Sequence, residues 1–304
     1  MKEKTREYFL KWFERFDRRK ILRVLSDKTY LKLLFALKFN KSLNLKTPKT
    51  FNEKLQWLKL YDRDPLYTQM VDKYAVKEYI AKSIGKEYVI PTIGVWEKFD
   101  DIDFEMLPQK FVLKCTHDSG GLIICREKDK LNKEKAKEKI EKSLKTNYFW
   151  RGREWPYKNV PARVMAEEYM QDGDTESLPV YKFFCFGGKA AIVQTIQNDK
   201  MQNETIDYFD RDWNLLDLRQ NFPNSSKPLE KPLLLDKMLE IADSLAEHRK
   251  SFIRVDLYSI NNRIYFSEFT FFSDSGTAAF HPVSWDERLG NMIELPPNTS
   301  RKEG

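Results

Sequence analysis

The sequence predicts an α+β fold: a helical N-terminal region followed by two sheet-bearing lobes. Three observations carry that reading. Apolar residues recur at helical spacing through residues 1–60. From Pro108 onward, strand-like apolar runs are separated by glycine or asparagine turns. Amphipathic helical stretches near 132–146 and 233–249 then divide the strands into groups. A chain of 304 residues, 41% of them hydrophobic, can bury roughly two cores.

The front of the chain reads as helix, with Phe9, Leu10, Phe13 and Phe16 on one stripe and Trp57, Leu58 and Tyr61 on a later one. Between them Thr50 is a candidate N-cap with Glu53 at the capping-box spacing. Asp72 opens a further helix through about Ser83, ended by Gly85 and followed by a short strand into Pro91. The runs KFVLKC and LIIC are strands flanking the glycine-bearing loop THDSGG, and RVMAEEYM is a strand leaving a hinge. YKFFCF and KAAIVQTIQ form a hairpin, TIDYFDRDWNLL a short strand pair, and FIRVDLYS with RIYFSEFTFF the last hairpin.

Charge and cysteine usage bound the function. The charged fraction of 33% and mean hydropathy of -0.63 argue against a membrane span, and no apolar run reaches spanning length. The opening MKEKTREYFLKWFERFDRRK is too charged for a secretory signal. Cys115, Cys125 and Cys185 are odd in number and lack CxxC spacing, so neither a disulfide framework nor a zinc site is indicated. A cytoplasmic, reducing compartment is expected. Residues 1–25 hold nine Lys/Arg against four Asp/Glu. That pattern reads as a surface for nucleic acid, anionic lipid or anionic glycan, or as a solvated amphipathic helix.

The last hairpin carries the most chemistry. Arg254, Asp256 and Tyr258 share one strand face by parity, and Phe266, Glu268, Thr270 and Phe272 share one on the return strand. A three-residue loop, Asn261 to Arg263, sets Asp256 opposite Glu268 and Arg254 opposite Thr270, with Cβ atoms about 4.5–5.5 Å apart. A two-residue loop breaks that pairing. Opposed carboxylates repel unless a proton or cation lies between them, and Mg²⁺, which prefers oxygen ligands and phosphates, is the natural bridge. The bland alternative is a cross-strand network of Arg254 with Glu268. The loop after Lys114 offers small-residue backbone N–H groups suited to phosphate oxygens, although Gly120 and Gly121 also suit a plain hairpin turn. His117 and Asp118 are given no catalytic role, and Lys73 reads equally as a snorkelling surface residue.

The order of these fragments resembles the ATP-grasp superfamily. DKYAVKEYI, FVLKCTHDSGG, AEEYM, YKFF, RVD and EFT stand in that superfamily's sequence of motifs over residues 72–270. The closer resemblance is to the TupA-like, teichuronopeptide-type family of cell-surface polysaccharide clusters. It rests on TFNEKLQWLKLYDRDPLYTQMVDKYAVKEYI, the YKF-x-CF-x-GK string and RVDLYSINNRIYFSEFTFFSDSG. The resemblance implies an ATP-grasp fold, two lobes sandwiching ATP. Its divisions are a helical region at 1–70, the start of the ATP-grasp region at 71–104, a small lobe with its flap at 105–175, and a large lobe with a metal site at 176–304. By position it implies that Lys73, Lys77, Lys114 and Lys182 contact ATP phosphates, with Gly120 and Gly121 in the flap. Glu167 and Met170 bracket the adenine and Asp174 meets the ribose. Asp256, Glu268 and Thr270 hold Mg²⁺, and Arg254 lies beside the γ-phosphate as the catalytic residue.

Two departures stand out. Thr270 occupies the place of the superfamily's usual final asparagine, which leaves one metal or two open, and residues 1–70 read as helical where a Rossmann-like domain is usual. The resemblance implies a carbon–nitrogen ligase that uses ATP and Mg²⁺ to join a uronic acid of a capsular or teichuronic-type glycan to an amino acid or amine. No nucleic-acid partner is expected, and residues 1–25 offer peripheral contact with the inner face of an anionic membrane. Rival readings are a glycan kinase, a polysaccharide glycosyltransferase, or a non-catalytic glycan-binding scaffold.

Overall fold

The structure is a computed structural model that describes residues 3–173, 178, 180–198 and 202–297. Helices open the chain: α1 (Glu3–Arg18), α2 (Asp27–Phe39), α3 (Phe51–Tyr61), α4 (Leu66–Val71) and α5 (Ala75–Ser83). Polar caps set their starts. Ser26 accepts from the Thr29 N–H ahead of α2, and Thr50 and Glu53 form the complete capping box of α3. Asp72 does not begin a continuous helix. Its Oδ1 accepts from the N–H groups of Tyr74 and Ala75, which starts α5, while Oδ2 holds Arg163 at 2.6 Å.

Strands β1 (Thr92–Trp96), β2 (Phe111–Cys115) and β3 (Leu122–Cys125) precede α6 (Lys133–Leu144), and β4 (Val164–Glu168) follows it. These strands make a four-stranded antiparallel sheet of order β1-β4-β2-β3. Phe111, Leu113, Val164 and Ala166 face Ala136 and Ile140 of α6 and form this lobe's core. The strand expected to run into Pro91 begins after it. Gly85, at φ +124°, turns the chain into a 3-10 turn at Lys86–Tyr88, which fills that stretch.

The second sheet holds β5 (Val180–Phe186), β6 (Lys189–Gln197) and β7 (Thr205–Asp210). A short β8 (Arg219–Gln220) and α7 (Leu235–Ala246) follow, then β9 (Phe252–Ile260), β10 (Arg263–Thr270), β11 (Phe280–His281) and α8 (Ser284–Asn291). The sheet order is β10-β9-β5-β6-β7, with β8 and β11 paired separately. Its largest core runs from Phe183, Val193, Val255 and Leu257 to Leu55 of α3, Ala242 of α7 and Leu289 of α8. The pair expected from TIDYFDRDWNLL is one strand and an isolated bridge, Phe209 to Leu215. Asp210 ends the strand by accepting from the N–H groups of Asp212 and Asn214, and Trp213 takes φ +69° in the turn.

Helix α3 ties the front of the chain to its far end. Lys59, 1% exposed, donates to Gly152 O, Ser275 O and Ser275 Oγ, each at 2.8 Å. Burial pushes Lys59 down to about 8, opposed by the Glu154 carboxylate. A smaller cluster of Phe13, Tyr30, Leu31 and Phe35 joins α1 to α2.

Candidate active site

A cleft of about 350 Å³ lies between the two sheets, within the size range of small-molecule sites. The first sheet contributes Lys114, Met165 and Glu167, the second Lys182, Tyr258 and Glu268, and the segment around α5 contributes Lys73 and Lys77. Val89, Ile90 and Phe266 supply apolar wall. Strand parity explains the division on β4: Val164 and Ala166 point into the lobe core, so Met165 and Glu167 point into the cleft.

Glu167 is the hub of the first wall. Its Oε1 lies 2.6 Å from Lys77 Nζ and its Oε2 2.5 Å from Lys114 Nζ. Burial works against its charge, but the two ammonium groups outweigh burial and hold the carboxyl below its ordinary value. Burial lowers Lys77 despite this partner, whereas Lys114 ends above its ordinary value because Glu167, Tyr258 and Glu268 overcome desolvation. Lys77 also donates to Ile90 O at 2.6 Å. The position expected to bracket an adenine therefore fixes two of the four cleft lysines.

The loop after β2 is held tightly. The Lys73 ammonium donates to Asp118 O, the Ser143 hydroxyl donates to the Asp118 carboxylate, and Asp118 Oδ1 accepts from Gly121 N–H at 3.1 Å. A Cβ on Gly121 would collide with Cys115 Sγ and come within 2.6 Å of Ser143 Oγ. Gly120 is exposed, with only Asp118 Oδ2, at 3.7 Å, near its Cβ position. His117 is buried and shares Nε2 between Ser143 O and Thr146 O, both at 3.1 Å, which is an anchor to the end of α6.

The carboxylate hairpin has the expected pairing by a different route. Its turn has two residues, Asn261 and Asn262, at φ +48° and +57°, the signs of a type I′ turn. Arg263 therefore pairs with Ile260, and Phe266 with Leu257. A bulge at Ser267 then shifts the register, so Glu268 faces Asp256 and Thr270 faces Arg254. The bulge also overturns the expected sharing of a face by Phe266 and Glu268: Phe266 pairs with the core residue Leu257, and Glu268 with Asp256.

The cation between the carboxylates is Arg254. Nε and Nη2 donate to the two Asp256 oxygens at 2.7 Å each, and Nη2 lies 3.5 Å from Glu268 Oε1. Asp256 and Glu268 hold Arg254 above its ordinary value in spite of burial. Burial raises Asp256, only partly offset by Arg254 and by Lys182, 4.0 Å away. Glu268 is 40% exposed, and burial is outweighed there by Lys73, Arg254, Lys182 and Lys114, which lower it.

Lys73, Lys77, Lys114, Lys182, Gly121, Glu167 and Glu268 thus meet at one cleft, with Arg254 and Asp256 directly behind Glu268. Met170 lies past the end of β4, outside the cleft lining, and Thr270 is paired with Arg254 rather than lining it. Asp174 falls outside the described residues. Among the described residues, no group of three or more His, Cys, Asp or Glu side chains is placed to hold a metal by itself. Sequence reasoning missed Met165 and Tyr258 as cleft residues, although each shares a strand face with a residue it had named, Glu167 and Asp256.

The chain has no match among curated proteins. Among solved structures, it is similar to D-alanine–D-alanine ligase from Bacillus anthracis complexed with ATP, with 17% identity over 67% of this chain and 55% of that one, at a TM-score of 0.39. The D-alanine–D-alanine ligase of Helicobacter pylori matches at 13% identity, 80% and 69% coverage and a TM-score of 0.43. The biotin carboxylase domain of Hydrogenobacter thermophilus 2-oxoglutarate carboxylase, in complex with MgADP, ADP and bicarbonate, matches at 16%, with 76% and 48% coverage and a TM-score of 0.42. The chain spans about half the length of the Bacillus anthracis ligase. Residues 53–294, which contain every described cleft residue, match the family described as TupA-like ATPgrasp. The chain belongs to the TupA-like ATP-grasp family.

Proposed function

We propose that the protein is an ATP-dependent carboxylate–amine ligase acting through an acyl phosphate. One observation carries the reading: four lysines converge on a cleft between two sheets, and a carboxylate pair with a buried arginine stands at its edge. Such a site has little covalent chemistry to perform and works by positioning and by electrostatic stabilisation. In this reading Lys73, Lys77, Lys114 and Lys182 neutralise the phosphates of ATP, with the Gly120–Gly121 loop as flap. A substrate carboxylate oxygen attacks the γ-phosphorus and ADP leaves. An amine nitrogen then attacks the acyl carbon, phosphate leaves, and an amide forms with loss of a proton.

Mg²⁺ fits the residues present. Glu268 offers an accessible carboxylate, and each Asp256 oxygen, already accepting one bond from Arg254, keeps a further lone pair. Bound there, the ion shields phosphate charge. Arg254 keeps its positive charge throughout and steadies the transferred phosphoryl group. Glu167 orients Lys77 and Lys114, with Met170 and Asp174 on the nucleoside side.

The family supports a glycan as the acceptor: a uronic acid of a capsular or teichuronic-type surface polysaccharide, joined to an amino acid or amine. We propose that the reaction takes place in the cytoplasm, with residues 1–25 in peripheral contact with the membrane. The test is ADP release over a panel of uronic acids and amino acids. Release that depends on both partners and yields an amide supports ligation. ADP formed with a phosphorylated sugar and no need of amine overturns it.

A further inference from the structure

Helix α1 carries more than a charge excess. Tyr8, Phe9 and Trp12 are 56%, 49% and 36% exposed, and with Phe16 they form a continuous aromatic ridge. Tyr8 lies 5.8 Å from Phe9 and 6.0 Å from Trp12, and Trp12 lies 5.4 Å from Phe16, centroid to centroid. The core contact of α1 is elsewhere on its surface, where Phe13 packs 5.1 Å from Tyr30. Wheel positions 8, 9, 12 and 16 lie to one side of that buried stripe, so the ridge is surplus to folding.

The ridge leads into a basic turn. Arg15, Arg18, Arg19, Lys20 and Arg23 fall within nine positions that contain one acid, Asp17. Asp17 itself is turned inward, beside Tyr30 and Arg153. Ile21 lies between these cations and Val24 directly after them, and both are exposed, Val24 at 88%. Aromatic and aliphatic side chains standing among clustered lysines and arginines match a bilayer interface, where rings sit at headgroup depth and cations meet anionic phosphates. A second copy of the same basic face repels the first, which disfavours self-association as its use.

We infer that α1 and the turn after it dock the protein on an anionic lipid surface. Phe9, Trp12, Ile21 and Val24 enter the interface, and Arg19 and Lys20 contact lipid phosphates. This deepens the peripheral contact named above and stands apart from the ligation chemistry, because vesicle binding is read without ATP.

The experiment is flotation of the full chain with phosphatidylcholine vesicles, with and without phosphatidylglycerol, at two salt concentrations. Anionic vesicles carry the protein up, neutral ones do not, and added salt weakens the effect. Phe9→Ser with Trp12→Ser lowers binding by about tenfold or more, a change worth about 1.4 kcal/mol. Arg19→Glu with Lys20→Glu, a second variant confined to exposed groups, does the same. Unchanged ADP release in both variants separates docking from catalysis. Binding that survives both variants, equal binding to neutral vesicles, or a concentration-dependent dimer abolished by the same substitutions overturns the proposal.

Discussion

Glu268 faces Asp256 only because Ser267 is an extra residue in β10. In an unbulged ladder set by the two-residue Asn261–Asn262 turn, Ser267 would oppose Asp256 and Glu268 would oppose Val255 in the core. A bulge bends its strand and re-aims the next side chain, and here it turns a carboxylate out of the core and into the cleft.

The two carboxylates should respond differently to neutralisation. Asp256→Asn takes the two-oxygen partner from the buried Arg254, leaving it the half-exposed Glu268 at 3.5 Å, and should cost about 3 kcal/mol of stability. Glu268→Gln, in a half-exposed pair at 3.5 Å, should stay within about 1 kcal/mol. Its ADP release should fall by about a hundredfold or more. Urea unfolding beside ADP release measures both, and equal stability losses would contradict the division of roles.

Glu167→Gln should lower stability by about 3 kcal/mol, because it leaves Lys77 and Lys114 without their shared partner. The sign of the pH dependence follows from the lowered carboxyl. The contribution is complete above the ordinary value of 4.5 and is lost as pH falls below it through the folded value. The stability gap between wild type and variant, followed by unfolding at a series of pH values, should therefore narrow in acid as pH falls below 4.5.

Gly120 and Gly121 look alike in sequence and should not behave alike. Gly121→Ala drives a Cβ into Cys115 and Ser143 and should cost about 1–3 kcal/mol, with loosened binding of Mg-ATP. Gly120→Ala meets only Asp118 Oδ2, at an ordinary contact distance of 3.7 Å, and should be close to neutral. Melting temperatures with and without Mg-ATP distinguish them, and a larger loss for Gly120→Ala would refute the packing argument.

Lys59→Met removes the ammonium that three acceptors share and strands Glu154 in the interior. A loss of about 3–5 kcal/mol is expected, measured by chemical denaturation. A further change of Glu154→Gln should recover part of it, since the two buried charges are coupled.

Much of this was legible because it is local. The Thr50–Glu53 capping box, the β2–loop–β3 flap and the lysine of β5 depend on residues near one another in sequence. The Asp256–Glu268 pairing was reached from a three-residue loop that does not exist. Turn length and bulge position trade off by one residue, and strand alternation alone cannot tell them apart. Glu167 shows the other limit: its partners sit on α5 and β2, so its role as an ion-pair hub follows only from how three elements meet. Arg254 was visible in the sequence as a cross-strand partner for Glu268, a contact present at 3.5 Å, but not as a clamp on both oxygens of Asp256.

The polar face of α3 has a consequence for the order of assembly. Asn52, Gln56 and Lys59 reach partners at Ser275, Gly276, Ala278 and Asp286, between 216 and 234 positions further along the chain. On the ribosome α3 emerges long before any of them, and its side chains stay hydrated until residues 275–286 follow. Contacts this distant in sequence are slow to close. Protease resistance of stalled nascent chains should therefore appear late and in one step, once the last of these partners has cleared the exit tunnel.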